Sequence, residues 1–315
     1  MREMVTTITL NPMLDKTIYV DRVERGTIHR ASKMEMVAGG KGINVSRQLK
    51  RLGIRTVATG FLGGEVGSIV SRLLMEESIE QDFVRTEAAT REGLTYLEPD
   101  GTWTALFEPS LRVEQAAVLE LNKKIGDLAS KSTWVVCGGS SPGNEADDIF
   151  YEAIILAHRN GISSVLDSYG RAFELGLKAQ PTLVKPNKRE FEATFHQSLT
   201  TESDHLLAVR FLLDHGARYS ILTDGGHMFY AGIQGHFWKV TPPETKGVNP
   251  TGSGDALVAG ILYGFQQGWK FERCLAFGAA AGAANARVWE VANSPLQEIS
   301  SLEESVRIQR VSVKT

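Results

Sequence analysis

Apolar residues along the chain change their spacing repeatedly, and each change predicts a different secondary-structure element. Short runs rich in β-branched residues are typical of buried strands, whereas apolar positions three or four residues apart are typical of amphipathic helices. The predicted strands lie at 5–10, 56–59, 134–137, 165–167, 183–185 and 219–223, followed by a hairpin at 228–234 and 236–240. The predicted helices lie at 43–52, 66–77, 113–129, 147–159, 189–195, 204–215, 255–265 and 275–288. This alternation predicts an α/β fold with a mostly parallel sheet that helices cover on both faces.

Two segments interrupt the alternation and fit no strand–helix unit. Residues 16–37 alternate weakly between apolar and polar positions, which predicts short antiparallel strands. Residues 82–108 alternate around a turn at 99–101, which predicts a hairpin. Together they predict a small second sheet that forms a lid above the strand ends, where open α/β sheets bind ligands. The predicted division is a core of residues 1–10, 38–83 and 111–315 and a lid of residues 11–37 and 84–110.

The composition excludes several classes of partner. The chain has 315 residues, a formal net charge of −3 and an isoelectric point near 6.2, which argue against nucleic acid or an anionic membrane as the main partner. No apolar run approaches the roughly 18 residues of a membrane helix, and residues 1–10 lack the long apolar region of a secretion signal. Cys137 and Cys274 are far apart and lack Cys-x-x-Cys spacing, so we expect two core thiols and a cytoplasmic protein.

A glycine-rich loop leads into the apolar helix predicted at 255–265. Gly252 and Gly254 flank Ser253, so three successive backbone N–H groups can approach a ligand at a helix N-terminus, where an anion is favoured. Asp255 in the first turn would repel that anion unless its carboxylate has a chemical role. Accepting a proton from a hydroxyl that attacks a phosphorus atom is such a role. The alternative is an ordinary helix start with an acidic residue near the N-cap.

A second glycine-rich stretch precedes the helix predicted at 43–52. Gly39, Gly40 and Gly42 surround Lys41 in the sequence. Because three glycines in four residues cost chain entropy, this stretch predicts close approach of the backbone to a ligand, with Lys41 balancing a phosphate charge. A flexible hinge with a solvated lysine is the alternative.

A third candidate follows the strand predicted at 183–185. Asn187 and Glu190 are three residues apart, so their oxygen atoms can share one face at a helix start. Oxygen ligands of this type suit Mg²⁺, usually through its bound waters. The alternative is a capping box with Asn187 as the N-cap, and on these residues alone it is the better interpretation.

Several other signatures are absent from the sequence. Gly40-Lys41 lacks the spacing of a Walker A loop, and neither glycine-rich stretch matches the dinucleotide fingerprint, so a dehydrogenase has no support. The seven histidines show no metal-ligand spacing, and no Gly-x-Ser-x-Gly elbow occurs.

Six motifs occur in a fixed order between residues 5 and 290. They are Asn11-Pro12 with Asp15, Gly39-Gly40-Lys41-Gly42 with Asn44-Val45, Gly60-Phe61-Leu62-Gly63-Gly64, Thr90-Arg91, Lys185-Pro186-Asn187 with Glu190, and Gly252-Ser253-Gly254-Asp255. Together they resemble the PfkB carbohydrate kinase family of the ribokinase-like fold, and within it the branch that acts on phosphosugars. The resemblance implies a three-layer αβα core with a mostly parallel sheet and a small β-sheet lid.

The resemblance also implies roles for individual residues. Asp255 would be the catalytic base, and the backbone N–H groups of Gly252, Ser253 and Gly254 would bind the transferring phosphoryl group. The sugar would contact Asp15, Gly39, Gly40 and Asn44, and its existing phosphate would contact Lys41, Arg91, Arg30 and Ser140. The ATP phosphates and Mg²⁺ would face Lys185, Asn187 and Glu190, with Asn187 and Glu190 toward the metal and Thr223, Gly225, Thr251 and Asn285 along the nucleotide.

The implied function is transfer of the γ-phosphoryl group of ATP to a hydroxyl of a ketohexose phosphate, which gives a bisphosphate. Mg²⁺ is the implied cofactor, and a requirement for a monovalent cation is left open. The residue sequence of the motif that begins at Asn249-Pro250 favours tagatose 6-phosphate, and fructose 1-phosphate is the alternative. A sugar-phosphate sensor without catalysis is a weaker alternative. Lys41 and Arg91 argue against an unphosphorylated sugar or a nucleoside.

The resemblance also implies a mode of assembly, and a few residues of this chain differ from the family's motifs. Lids in this family often pair, and the apolar lid residues predict a homodimer through the lid: Ile18, Val20, Tyr96 and Trp103. Met228 replaces a glycine of the family's nucleotide loop, and Tyr169 stands in an altered motif near the sugar. Asp224 would add negative charge beside ATP, so we expect its side chain to point away.

Overall fold

Strands and helices alternate along most of the chain in the computed structural model, which describes residues 4–312. The strands are β1 (Met4–Thr9), β2 (Met13–Tyr19), β3 (Lys33–Gly39), β4 (Arg55–Gly63), β5 (Glu80–Gln81), β6 (Val84–Thr86), β7 (Arg91–Leu97), β8 (Trp103–Phe107), β9 (Ser132–Gly138), β10 (Ser163–Asp167), β11 (Leu183–Val184), β12 (Tyr219–Asp224), β13 (Met228–Ile233), β14 (His236–Thr241) and β15 (Arg307–Val311). The α-helices are α1 (Lys41–Arg51), α2 (Gly64–Glu76), α3 (Gln115–Ala129), α4 (Ile149–Arg159), α5 (Gly170–Lys178), α6 (Lys188–Phe195), α7 (Glu202–Asp214), α8 (Ser253–Gln266), α9 (Phe271–Ala286) and α10 (Leu296–Glu303).

A large sheet forms the centre of the molecule. Its strands follow the order β15-β14-β13-β12-β11-β10-β9-β1-β4-β5, and β6 also pairs with β4. The pairs from β12 through β5 are parallel, whereas β12 to β15 form antiparallel pairs at one edge. The predicted mostly parallel sheet is confirmed.

Strand β9 shows how this sheet separates two apolar clusters. Trp134 and Val136 pack with residues of α8 and α9, whereas Val135 and Cys137 pack with residues of α3 and α4. Because successive side chains of a strand point to opposite faces, helices cover both faces of the sheet. The predicted three-layer αβα arrangement is therefore confirmed.

The second sheet contains four strands in the order β3-β2-β7-β8, and we call it the lid sheet. β2 pairs with β3 and β7 pairs with β8 in antiparallel fashion, as the alternation predicted. The central pair, β2 with β7, is parallel and joins the two segments that interrupt the strand–helix alternation. The small separate sheet is confirmed, and the exact boundaries of core and lid stay a prediction.

Several elements were missed by the periodicity. α5 contains two glycines and three charged residues in nine, so its buried positions Ala172, Phe173 and Leu177 leave a weak apolar pattern. β15 is mostly polar and becomes a strand only because β14 offers it an edge to pair with. β5, β6 and α10 were missed for the same reason, since they are short and gain their stability from tertiary contacts.

None of the helices within residues 4–312 combines the length and the apolar character that a membrane-crossing segment needs.

The contact between α8 and α9 holds the glycine-rich start of α8 against the core. Gly260 and Gly278 face each other at this contact, where a Cβ built on Gly260 would lie 2.9 Å from the Cα of Gly278. The two helices can approach this closely only because neither position carries a side chain.

We expect Gly278→Ala to lower the free energy of unfolding by about 1–3 kcal/mol. The added Cβ would lie 2.7 Å from Cγ1 of Ile261 and 2.9 Å from the carbonyl oxygen of Leu257. Gly126→Ala in α3 is the matched control, because its Cβ would meet no atom within 4 Å. That variant should keep or slightly raise the stability. Thermal denaturation compares the two variants with the wild-type protein, and a Gly278→Ala midpoint equal to the wild-type midpoint would contradict the close packing.

Candidate active site

A cavity of about 750 Å³ opens at the carboxyl ends of the parallel strands, beneath the lid sheet. Its wall combines loops that follow β1, β10, β11 and β12 with the first turns of α1 and α8 and with residues of β2 and β7. Open α/β sheets bind ligands at this edge. Most of the residues named from the sequence line the cavity: Asp15, Gly40, Lys41, Asn44, Arg91, Ser140, Lys185, Asn187, Thr223, Gly225, Thr251, Gly252, Ser253, Gly254 and Asp255.

The start of α8 presents backbone donors to the cavity. Gly252 is the N-cap and has a φ of +78°, and a Cβ there would lie 2.4 Å from Cγ1 of Val291. The N–H of Ser253 donates to the carbonyl oxygen of Pro250 at 3.2 Å. The N–H groups of Gly252 and Gly254 therefore remain for a ligand, as no acceptor for them lies among the described residues. Three N–H donors were predicted from the sequence, and two of them are free of protein acceptors because the N–H of Ser253 is bonded to Pro250.

Asp255 lies in the first turn of α8 and is buried. The side-chain amide of Asn44 donates to its Oδ2 at 2.8 Å. Burial, together with the negative charge of Asp167, raises the pKa of Asp255 to about 7, while Lys41, the Asn44 donor and Lys185 act in the opposite direction. A carboxylate with a pKa close to neutral is suited to general base catalysis.

Asp167, at the end of β10, joins two lysines in the same wall of the cavity. Lys41 Nζ lies 2.7 Å from its Oδ1 and Lys185 Nζ lies 3.0 Å from its Oδ2. Burial opposes the charge of Asp167, but the two lysines hold its pKa below the ordinary value. Sequence reasoning gave Asp167 no role. Its position at the carboxyl end of a predicted parallel strand was the available signal.

Lys41 is paired with protein carboxylates. Its Nζ lies 2.5 Å from Oε1 of Glu190, in addition to the contact with Asp167. Burial opposes the charge of Lys41, but Asp167, Glu190 and Asp255 raise its pKa above the ordinary value. In the structure its ammonium pairs with Asp167 at the end of β10 and with Glu190 in α6, and the suggested contact with the sugar's phosphate stays a prediction.

Asn187 and Glu190 form the capping box that was the alternative interpretation. The side chain of Asn187 accepts the N–H of Glu190 and Oε2 of Glu190 accepts the N–H of Asn187, each at 2.9 Å. Among the residues that the structure describes, no cluster of three His, Cys, Asp or Glu side chains could hold a metal. The oxygens of Asn187 and Glu190 already accept hydrogen bonds from the protein, so they form no metal cage and could contact a divalent ion only through its waters.

The lid contributes a further carboxylate, that of the partly buried Asp15. A Cβ on Gly39 would lie 1.9 Å from Oδ2 of Asp15 and a Cβ on Gly93 would lie 2.9 Å from its Oδ1, so the two glycines make room for this side chain. Burial raises the pKa of Asp15 to about 6, and Arg91 and Arg47 act in the opposite direction.

Arg91 and Asn11 leave buried polar atoms unused at the cavity. Nε of Arg91 and Oδ1 of Asn11 have no hydrogen-bond partner. The amide nitrogen of Asn11 donates to the hydroxyls of Ser110 at 2.9 Å and Ser140 at 3.1 Å. Buried polar atoms without partners are rare in folded proteins, so these two atoms indicate a place for a polar ligand. Asn11 had no assigned role before, although it lies in the first motif.

Four of the named residues do not line the cavity. They are Gly39, Glu190, Arg30 and Asn285. Gly39 and Glu190 lie directly behind the wall, where they contact Asp15 and Lys41. Arg30 is exposed in the connection between β2 and β3.

Asn285 is fully buried in α9. Its amide nitrogen donates to the carbonyl oxygen of Thr251 at 2.8 Å and lies 3.0 Å from Oγ of Ser253, and its Oδ1 accepts the N–H of Ala292 at 2.6 Å. Asn285 therefore fixes the loop before α8, whereas its suggested contact with the adenine end of ATP has no support in this geometry.

The loop between β12 and β13 forms the outer part of the cavity. Thr223, Asp224 and Gly225 all line it. The carboxylate of Asp224 lies 3.2 Å from Nε2 of His205 and 3.6 Å from Nζ of Lys188, so two basic side chains pair with its charge. The expectation that it points away from ATP stays a prediction.

The chain is similar to known kinases over almost its full length. A tagatose-6-phosphate kinase from Staphylococcus epidermidis is 32% identical over 286 residues, which cover 90% of this chain and 92% of that protein. A 1-phosphofructokinase from Haemophilus influenzae is 30% identical over 319 residues and 98% of both chains. The structure of a Thermotoga maritima protein described as a possible 1-phosphofructokinase superposes with a TM-score of 0.88 at 30% identity, covering 98% of this chain and 100% of the other.

The family model of the pfkB carbohydrate kinases matches residues 8–298, which include every motif of the site. The resemblance inferred from the six ordered motifs is confirmed by this match. The chain belongs to the pfkB family of carbohydrate kinases.

Proposed function

We propose that the protein transfers the γ-phosphoryl group of ATP to a hydroxyl of a ketohexose phosphate, with tagatose 6-phosphate as the favoured substrate. The observation that carries the proposal is the position of Asp255. A buried carboxylate with a pKa of about 7 stands one residue after a backbone anion site, and both face one cavity. The names of the two relatives support phosphosugars as the substrate class.

The proposed reaction is a direct displacement at phosphorus. Asp255 accepts the proton of the sugar hydroxyl while the oxygen of that hydroxyl forms a bond to the γ-phosphorus. The bond between that phosphorus and the oxygen that bridges to the β-phosphate breaks, and ADP leaves with the electron pair. Phosphoryl transfer of this type depends chiefly on positioning and on stabilisation of charge, which the cavity supplies.

The start of α8 is the proposed site of the transferring group. The N–H groups of Gly252 and Gly254 and the positive end of the helix dipole favour an anion there. Lys185 adds a cation, because a Cβ built on Gly254 would lie 3.2 Å from its Nζ. Lys185 is 3% exposed, so little water screens its charge.

We propose Mg²⁺ as the divalent ion that accompanies ATP. Asn187 and Glu190 would hold it through its waters, since each of their side-chain oxygens accepts one hydrogen bond from the protein and keeps a second lone pair. When bound, the ion neutralises part of the negative charge of the phosphates. A monovalent cation stays a prediction.

The lid side of the cavity is the proposed sugar site. Asp15 and Asn44 would bind sugar hydroxyls on either side of Asp255. The unused Nε of Arg91, with the hydroxyl of Ser140, would bind the phosphate that the sugar already carries, and the unused Oδ1 of Asn11 would accept a hydrogen bond from a sugar hydroxyl. Lys41 is a weaker candidate for that phosphate, because two carboxylates already hold it.

Fructose 1-phosphate is the second candidate substrate. The similarity to the Haemophilus influenzae 1-phosphofructokinase over 98% of both chains favours it specifically. A sensor that binds a sugar phosphate without turnover is the remaining alternative, and the complete set of Asp255, Gly252 and Gly254 in one cavity argues against it.

We also propose a reducing cytoplasm as the location. Cys137 and Cys274 are buried free thiols. Burial raises the pKa of Cys274 to about 12, so the reactive thiolate is scarce at neutral pH. Thiols of this kind are typical of proteins in reducing compartments.

We propose that two chains pair through the lid sheet. Large apolar side chains on this sheet are about half exposed or more: Met34, Trp103, Leu106 and Phe107. Apolar surface of this extent on one small sheet is typical of an interface. A second copy of the chain is the proposed partner.

We expect Asp255→Asn to lower kcat by about 10²–10⁴-fold, because the amide cannot accept the proton of the sugar hydroxyl. Binding of ATP, measured by calorimetry, should be retained. The matched control is Asp127→Asn, at an exposed position of α3, which should behave as the wild-type protein. Turnover of Asp255→Asn at the wild-type rate would exclude Asp255 as the base.

An ADP-release assay across phosphosugars tests the substrate. At matched concentrations we expect the largest kcat/KM for tagatose 6-phosphate, with fructose 1-phosphate next. Free fructose should be at least about 10²-fold lower, since it leaves the partly buried guanidinium of Arg91 without an anion. Arg91→Met should lower the ratio of kcat/KM for phosphorylated sugars to kcat/KM for free fructose. ADP release that is equal for fructose and its phosphates would contradict the proposed phosphate site, and binding of a phosphosugar without ADP release would favour a sensor.

We expect light scattering coupled to size exclusion to give the mass of a dimer. Trp103→Glu combined with Leu106→Glu should shift the protein toward the monomer, because each change places a charge on the apolar lid surface. Leu119→Glu, at an equally exposed apolar position of α3, is the matched control and should leave the mass unchanged. A wild-type protein that is monomeric at all concentrations would refute pairing through the lid.

A further inference from the structure

Arg47 is a buried arginine that lies behind the cavity wall. It belongs to α1, is 7% exposed and does not line the cavity. Its Nε and Nη2 donate to the carboxylate of Glu77, with Nη2 3.0 Å from Oε1. Nη2 also donates to the carbonyl oxygen of Ala38 at 2.7 Å, and Nη1 donates to Oδ1 of Asn44 at 2.8 Å. The guanidinium thus joins three parts of the chain: the end of β3, the end of α2 and the first turns of α1.

The contact with Asn44 decides which way the Asn44 amide faces. A guanidinium has only donors, so the atom that faces it must be the amide oxygen. The amide nitrogen is then directed to the other side, where it donates to Oδ2 of Asp255 at 2.8 Å. Rotation of the amide by half a turn would place its oxygen against the carboxylate of Asp255 and its nitrogen against the guanidinium, so that both contacts become repulsive.

We infer that Arg47 is a positioning residue that fixes the amide of Asn44 so that it donates to Asp255. The inference rests on the proposed role of Asp255 as the base. Arg47 does not line the cavity and makes no contact with the start of α8, so it acts on Asp255 through Asn44. Its effect on the reaction is to keep one hydrogen bond aimed at the carboxylate that takes the proton.

The surroundings of Arg47 make this orientation rigid. Glu77 and the carbonyl oxygen of Ala38 hold two edges of the guanidinium, so the third edge can point only toward Asn44. A planar group with five donors can meet all three partners at once, whereas the single nitrogen of a lysine cannot. Arg47→Lys therefore keeps the charge near Glu77 and removes the control over Asn44.

Other groups near Asp255 do not depend on Arg47. Its pKa is raised by burial and by Asp167 from β10, and is lowered by Lys41 from α1 and Lys185 after β11. The donor from Asn44 is the one contribution that passes through Arg47. Losing it should raise the pKa of Asp255 above about 7 and leave the remaining charges in place.

The test is the pH profile of kcat/KM for Arg47→Lys, with Arg47→Met as a second variant. Because the base must be ionised, kcat/KM rises with pH through the pKa of Asp255. We expect the midpoint of this rise to move to higher pH by roughly half a unit to one unit, which is a further loss of about 3–10-fold below the midpoint. Above the new midpoint the loss should largely disappear.

Two comparisons separate the inference from a merely structural role. Arg51→Met, at an exposed position of the same helix, should leave the midpoint unchanged. In an Asn44→Ala background, Arg47→Lys should not shift the midpoint further through Asp255, because the amide that donates to Asp255 is already absent. Any small shift that Arg47→Lys still produces in this background comes from Asp15, whose pKa the arginine lowers directly, and it is subtracted from the shift in the wild-type background.

The outcomes are distinct. A wild-type midpoint in a folded Arg47→Lys variant, or an equal loss of kcat/KM at every pH, would overturn the inference and leave the proposed function intact. Turnover by Asp255→Asn at the wild-type rate would overturn the proposed base and the inference together. If Arg47→Met does not fold, as judged by circular dichroism, Arg47→Lys and the Asn44→Ala background still decide the question.

Discussion

Two aspartates in one buried wall of the cavity set the conditions for the rest of the site. Like charges at short range repel strongly where little water is present, so Asp167 and Asp255 cannot both be fully ionised without compensation. Both Lys41 and Lys185 form ion pairs with Asp167, so the positive charge compensates that carboxylate more than it compensates Asp255. One carboxylate is therefore a fixed charge and the other exchanges its proton close to neutral pH. Environments that separate two carboxylates in this way are how proteins assign different roles to the same chemical group.

The glycines near this wall allow close packing within the protein as well as close approach of a ligand. A Cβ on Gly42 would lie 2.5 Å from Oγ1 of Thr9, and one on Gly138 would lie 2.9 Å from the backbone nitrogen of Gly42. The first turn of α1 thus presses directly on the ends of β1 and β9, and this contact brings Lys41 within reach of Asp167. Their entropic cost is offset by the close packing of α1 on β1 and β9 that they permit, in addition to any close approach of a substrate.

The sequence was sufficient for the architecture and for most of the cavity wall, and it failed where partners decide the outcome. Periodicity predicted α8 and the parallel strands because their apolar patterns are strong, but β15 depends on the edge of β14. Motif order identified Asp255 and Asn44. It could not show that Lys41 pairs with Asp167, since the two residues are 126 positions apart and nothing local links them. Asn285 was misread for the same reason, because its amide is used by the loop before α8.

The lid sheet is assembled from two segments that are distant in sequence, and this has a consequence for folding. The parallel pair β2 and β7 closes a loop that contains all of α1, β4 and α2. Closing so long a loop costs entropy that a single strand pair does not recover, unless the intervening elements are already packed on the large sheet. We therefore expect the lid to form after the central strands and to be the first part that separates from them.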